Sequence, residues 1–170
     1  MISMRKMTKS NLEAAFSGES QAHMRYLIFS RKAEEEGFPN VARLFKAIAF
    51  AEQVHATNHY TALGSVSSTK DNLQAAIEGE TYEVEEMYPA FNQVAVFQGE
   101  KEGARTTGWA LEAEKIHAGM YQKARQAVSE GRDIEETKIQ ICSVCGYTIE
   151  GEAPNRCPIC GATRDRFVEF

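Results

Sequence analysis

Seven residues of this chain place acid or imidazole where an amphipathic helix should carry hydrocarbon: Glu19, Glu52, His55, Glu80, Glu83, Glu114 and His117. A carboxylate on a buried helix face costs several kcal/mol unless a cation neutralises it. Five such acids with two imidazoles ask for two metal ions. Residues three apart share one face of a helix. Glu52-Gln-Val-His55 and Glu114-Lys-Ile-His117 can therefore each grip one ion or two neighbouring ions, while Glu19 and Glu80 supply lone acids. Helical bundles hold paired iron or manganese ions in this pattern. Glu83 is a surplus ligand three residues after Glu80. Set opposite His55, it would let one iron trade imidazole for carboxylate as its charge changes, because ferric iron prefers the harder oxygen. His23 and His59 lie one turn from the expected ion level and read as supporting or surface residues. Tyr26 and Tyr88 have two readings, core filling or phenols that donate to a ligand or to an oxygen substrate. Trp109 reads as core or interface rather than a redox relay.

All four cysteines fall in a second cluster, Cys142-Ser-Val-Cys145 and Cys157-Pro-Ile-Cys160. Two such pairs in a chain without a recognisable secretory leader point to a tetrahedral sulfur site rather than to disulfides. Gly146 and Gly161 follow the two pairs, where a backbone amide can approach a cysteine sulfur without a side-chain clash. The spacing does not choose between iron and zinc. An adjoining two-metal bundle favours iron, since a one-electron centre would supply that bundle with electrons, and leaves zinc as the substitute.

The elements that must position these groups follow from periodicity and punctuation. A first helix is expected from Ser10, whose spacing to Glu13 suits a capping box, to Glu36 before Gly37-Phe38-Pro39. Leu12, Phe16, Glu19, His23 and Tyr26 form its inward stripe. A second, over 40–63, turns Val41, Leu44, Phe45, Ile48, Glu52, His55 and His59 to one side. A third begins near Asp71 and should kink or break at Pro89, which removes a backbone donor and crowds the preceding turn. A fourth spans 101–130 and stops at Gly131. Glu19 to Glu52 is 33 residues and Glu80 to Glu114 is 34, so each half supplies a lone-acid helix and then a Glu-x-x-His helix. The implied architecture is an antiparallel four-helix bundle over residues 1–136, followed by a small β-rich metal-binding domain over 137–170. That tail is too short for apolar burial alone to hold it, so metal must stabilise it.

Composition narrows the function classes. The 170 residues are 43% hydrophobic with a net charge of −5, and the acidic excess lies in residues 1–137. Nucleic acid needs a clustered basic face and is not expected as a partner. No stretch suits a membrane span. Met1 to Lys9 carries bases with no apolar segment after them, which reads as a cytoplasmic protein without a signal peptide.

The segments GESQAHMRY around Glu19, AEQVHATNHY around Glu52 and His55, EGETYEVEEMYP around Glu80 and Glu83, EAEKIHAGMY around Glu114 and His117, and CSVCGYTIEGEAPNRCPICG resemble the rubrerythrin family over nearly the whole chain. The resemblance implies a ferritin-like di-iron bundle with a rubredoxin-like Fe(Cys)4 domain. By it, Glu52 and Glu114 would bridge two irons, Glu19 would be terminal on one, and Glu80 with His117 on the other. Glu83 and His55 would be the exchanging pair. The implied activity is reduction of hydrogen peroxide to water in oxidative-stress protection. Electrons would come from an NAD(P)H-linked reductase or a rubredoxin-like carrier through the cysteine-bound iron. A homodimer is implied, with one subunit's tail approaching the other's bundle.

The ferritin-like crossover raises a length problem. The path from Glu52 to Glu80 along a parallel crossover is roughly 30 Å, whereas about eight loop residues reach only about 27 Å. Fraying helix ends or exchange of helices between subunits would resolve this, and exchange is the expectation. Two rival readings are an iron-storage ferroxidase, which has no need of the cysteine tail, and a non-enzymatic zinc-ribbon adaptor.

Overall fold

The computed structural model describes residues 4–170. Met1 to Ser3, part of the stretch read for a leader, lie outside the described residues. The fold is mainly α, with ferritin-like helices followed by a three-stranded, cysteine-bearing tail. The chain divides into two compact units, residues 1–67 and 68–170.

The first unit is a helix pair, α1 (Lys6–Glu35) and α2 (Pro39–Ala62). Helix α1 starts earlier than expected. Ser10 lies inside it, and the cap at Arg5 uses no side chain, because nothing in the run from Lys6 to Lys9 breaks a helix. Pro39 opens α2 at a position where its missing N–H costs nothing. The two helices meet along alanines: Ala22, Ala33, Ala42, Ala49 and Ala56 are buried. The Ser30 hydroxyl donates to the Ala42 carbonyl at 2.9 Å and so satisfies a buried polar group.

Val41, Leu44 and Ile48, expected on the inward stripe, are exposed, as are Met24 and Ile28. One helix pair has a single seam, which here takes small side chains, so the larger residues of a stripe more than 100° wide are left open.

In the second unit, Ser68 caps α3 (Thr69–Tyr82), its hydroxyl accepting from the Asp71 amide. The disturbance expected at Pro89 is present but falls earlier. Residues Glu83–Met87 form a π-helical turn, closed by the Tyr88 amide donating to the Glu83 carbonyl five residues back, and α4 (Tyr88–Gln98) follows. The proline ring crowds the turn N-terminal to it, so the helix widens there instead of ending. Gly99, at φ 73°, ends α4. Helix α5 (Lys101–Ser129) returns against α3 and α4. Close approach is made possible by Gly108, where a Cβ would meet the Asn92 amide nitrogen at 3.4 Å. That same nitrogen donates to the Ala104 carbonyl at 2.6 Å.

The tail is an antiparallel sheet of order β2-β1-β3, from β1 (Ile139–Cys142), β2 (Thr148–Glu150) and β3 (Phe167–Glu169). Ile141 pairs with Thr148 on one side and Val168 on the other. Among the described residues, no helix is long and apolar enough to cross a membrane.

Candidate metal centres

The sheet and its two turns gather the four cysteine sulfurs. Cys142 Sγ lies 3.6 Å from Cys160 Sγ, and Cys145 Sγ lies 3.5 Å from Cys157 Sγ. A tetrahedral metal with bonds of about 2.3 Å needs sulfurs about 3.8 Å apart, so the donor set fits a single ion with little adjustment. The turns are built alike: the Gly146 amide donates to the Cys142 carbonyl and the Gly161 amide to the Cys157 carbonyl, each at 2.9 Å. Both glycines sit at positive φ, 82° and 76°. Crowding is not the reason for them, since a Cβ on Gly161 would meet nothing within 4 Å. The left-handed backbone is. It turns the next amide, of Tyr147 or Ala162, onto the sulfur of Cys145 or Cys160. Burial nevertheless pushes those two thiols up. At Cys157 burial is outweighed by the amides of Cys160 and Ile159, and the thiol lies below its usual range. Four thiolates in this space need a cation.

The carboxylates and histidines form two separate clusters, one in each unit. In the first, Glu19, Glu52 and His55 offer ligand atoms within 4.8 Å of one another. His55 Nδ1 is 3.1 Å from Glu52 and 3.9 Å from Glu19. The Glu19 carboxyl is raised, first by a hydrogen bond shared with Glu52 and then by burial and the Glu52 charge. Glu52 is well covered, at 16% side-chain exposure, but His55 is half open at 53%, less buried than the sequence suggests. His23 is a supporting residue, its Nδ1–H donating to the Ala49 carbonyl at 2.8 Å. Tyr26 packs on Phe45 and Phe29, with ring centroids 6.1 and 6.3 Å away.

The second cluster joins Glu80, Glu114 and His117 within the same 4.8 Å limit. His117 Nδ1 is 2.5 Å from Glu114. Burial, a hydrogen bond with Glu114, and the charges of Glu114 and Glu83 push the Glu80 carboxyl up to about 7. Glu83, at the start of the π turn, is raised by burial and by Glu114, with His117 opposing. Tyr88 at the far end of that turn is raised by burial and then by Glu83, Glu114 and Glu80, so its phenol stays protonated beside the cluster. The π turn thus sets both Glu83 and Tyr88 against this half of the ligand set.

Acids that share protons are the residues a pair of divalent cations would hold. In the metal-free fold Glu80 keeps its proton to about pH 7, against 4.5 in an unfolded chain. The raised value means the folded state binds the extra proton, so the metal-free protein is expected to lose stability as pH rises from about 5 to about 8. Thermal melts of chelator-stripped protein across that range check this, and Glu80→Gln should flatten the profile.

The cysteine tail rests on α5 of its own chain: a Cβ on Gly146 would meet Ala113 at 3.9 Å, Lys123 pairs with Glu150 at 3.3 Å, and His117 Nε2 lies 2.8 Å from Thr148 Oγ1. These contacts lie within one chain, and the approach of a partner's tail expected from the resemblance is a separate matter of assembly. Trp109 faces that seam, lining a cleft with Tyr147, Pro158 and Ile159, and the Arg105 guanidinium lies 5.0 Å over its ring. Thr148 carries no chemical signature in the sequence and was not singled out there.

The rubrerythrin family profile matches residues 10–125, and the profile of the rubrerythrin rubredoxin-like domain matches 140–168. The chain belongs to the rubrerythrin family. It is 47% identical to rubrerythrin-2 of Clostridium acetobutylicum, covering 96% of this chain and 97% of that one. Nigerythrin of Nitratidesulfovibrio vulgaris is 34% identical, covering 96% and 86%. Solved structures of nigerythrin, one in the fully reduced all-ferrous state, align over 99% of this chain and 89% of theirs, with a TM-score of 0.57 and 32% identity. Rubrerythrins bind iron, and this member carries a four-cysteine cluster and two carboxylate-histidine clusters that could hold it.

Proposed function

We propose that this chain is a non-haem di-iron peroxidase of the cytoplasm that reduces hydrogen peroxide to water and protects against oxidative stress. The observation that carries this reading is the pair of matched clusters, Glu19/Glu52/His55 and Glu80/Glu114/His117, with a four-cysteine site packed against the helix that bears one of them. Residues 1–136 would hold the substrate-reducing centre and 137–170 the electron inlet, fed by an NAD(P)H-linked reductase or a rubredoxin-like carrier.

Bound as a reduced pair, the irons would supply two electrons which, with two protons, convert one hydrogen peroxide to two waters. The chain's own residues would do the rest. By the family resemblance Glu52 and Glu114 would be shared by the two ions, Glu19 would serve one, and Glu80 with His117 would serve the other. Tyr88, protonated beside three acids, would donate a hydrogen bond to the oxygen substrate, and Tyr26 would be the corresponding phenol of the first unit. His55 is the most exposed ligand, and Glu83 stands outside the tight second cluster, as suits an exchanging pair. Glu83→Ala should keep iron content while slowing redox cycling at least about tenfold. Unchanged turnover would remove the exchange role.

The two clusters lie on either side of a short link. Helix α2 ends at Ala62 and α3 begins at Thr69. From Glu52 and from Glu80 to those ends the helices rise about 31 Å in all, and residues 63–68 reach about 24 Å fully extended. A ferritin-like bundle needs one long crossover, so the proposal is a homodimer in which α1 and α2 of one subunit complete the site of the other. Iron analysis and peroxide assay test the function together: about three irons per chain with peroxide-dependent NAD(P)H oxidation are expected. Zinc in the cysteine site without bundle metal, and no peroxide consumption, would overturn the reading.

A further inference from the structure

Thr148 is a buried polar residue at 4% exposure on the strand that faces α5. Its hydroxyl has two partners. It donates to the Gly146 carbonyl at 3.0 Å, and His117 Nε2 lies 2.8 Å from the same oxygen. A carbonyl only accepts, so the single hydroxyl proton is committed to Gly146 and the oxygen's lone pair faces the ring. Nε2 must then carry a proton, which leaves Nδ1, the nitrogen 2.5 Å from Glu114, as the one able to bind a cation.

From this hydrogen-bond order we propose that Thr148 is a positioning residue: it fixes His117 as the Nε2–H tautomer, presents Nδ1 to the carboxylate cluster, and fastens the first cysteine turn to that histidine. This rests on the metal-site reading above and deepens it. A histidine that ligates a metal commonly has its other nitrogen held by an oxygen acceptor. Here that acceptor comes from the cysteine module, and the connection runs Cys145, Gly146 carbonyl, Thr148 hydroxyl, His117. Valine matches threonine in shape but offers no acceptor. Serine restores one.

The test uses full-length protein loaded with zinc and read by nitrogen-15 NMR. In wild type and in Thr148→Ser, the His117 Nε2–H proton should appear as a downfield, slowly exchanging imidazole resonance. In Thr148→Val that resonance should vanish, and zinc affinity of the carboxylate-histidine site should fall about 10- to 100-fold. Cobalt in the cysteine site of the same variant should keep its thiolate charge-transfer bands, showing that the module is folded. A persistent Nε2–H resonance and unchanged affinity in Thr148→Val would overturn the proposal, as would failure of serine to restore them. Neither readout involves peroxide, so the tautomer assignment can fail while the peroxidase reading stands, and the reverse.

Discussion

Mixing a Glu52→Ala chain with a Glu114→Ala chain, each inactive alone, is expected to restore about a quarter of wild-type peroxidase activity when the two are unfolded and refolded together. The arithmetic follows from exchange. Glu52 belongs to the unit of residues 1–67 and Glu114 to the unit of residues 68–170. In a mixed dimer with exchanged helices, one site collects both substitutions and the other collects neither. Half the dimers in an equal mixture are mixed, and each has one intact site of two. If each chain builds its own site, every site keeps one lesion and the mixture stays as inactive as its components. The exposed apolar residues Val41, Leu44 and Ile48 on α2 are those that a second helix pair would cover, so assembly and site completion are expected to be one event. Dilution should reduce activity and helical stability together.

The second large effect concerns the electron inlet. Cys157→Ala removes one of the four sulfurs that would hold a single ion, including the 3.5 Å pair with Cys145. Turnover supported by a reductase should fall at least about 100-fold, whereas a single turnover of chemically reduced protein should change no more than a few fold. Loss of both would mean that the module is needed to build the carboxylate site. Retention of both would remove the module from the electron route. The contact between His117 and Thr148 makes a modest loss in the single turnover the expected outcome rather than none.

Most of the candidate site was legible because its ligands obey the helical period or a short turn spacing. Glu52 with His55 and Glu114 with His117 are three apart on one helix, and each cysteine pair closes a single turn. What could not be read depends on longer contacts. Thr148 meets a residue 31 positions earlier, and nothing in Gly-Tyr-Thr-Ile separates it from any other strand threonine. Pro89 announced a disturbed helix, but its displacement to Glu83–Met87 depends on how the preceding turn absorbs the ring, which composition does not record. The capping box at Ser10 was misplaced because the spacing of Ser10 and Glu13 occurs equally well inside a helix that has begun at Lys6. The inward stripe of α2 was misjudged at Val41, Leu44 and Ile48, because the helix pair buries alanines and Ser30 along its seam and leaves those larger side chains exposed.

In the proposed function, peroxide rather than dioxygen would be the oxidant this two-metal site takes, with the cysteine iron as its electron source. Protein fully reduced without oxygen, mixed in a stopped-flow instrument with one equivalent of hydrogen peroxide and separately with air-saturated buffer, tests it most directly. Peroxide is expected to reoxidise the carboxylate-bound irons at once, with the cysteine-iron absorbance following, and air to act at least about tenfold more slowly. Rapid reoxidation by air with little response to peroxide would contradict it and favour a ferroxidase.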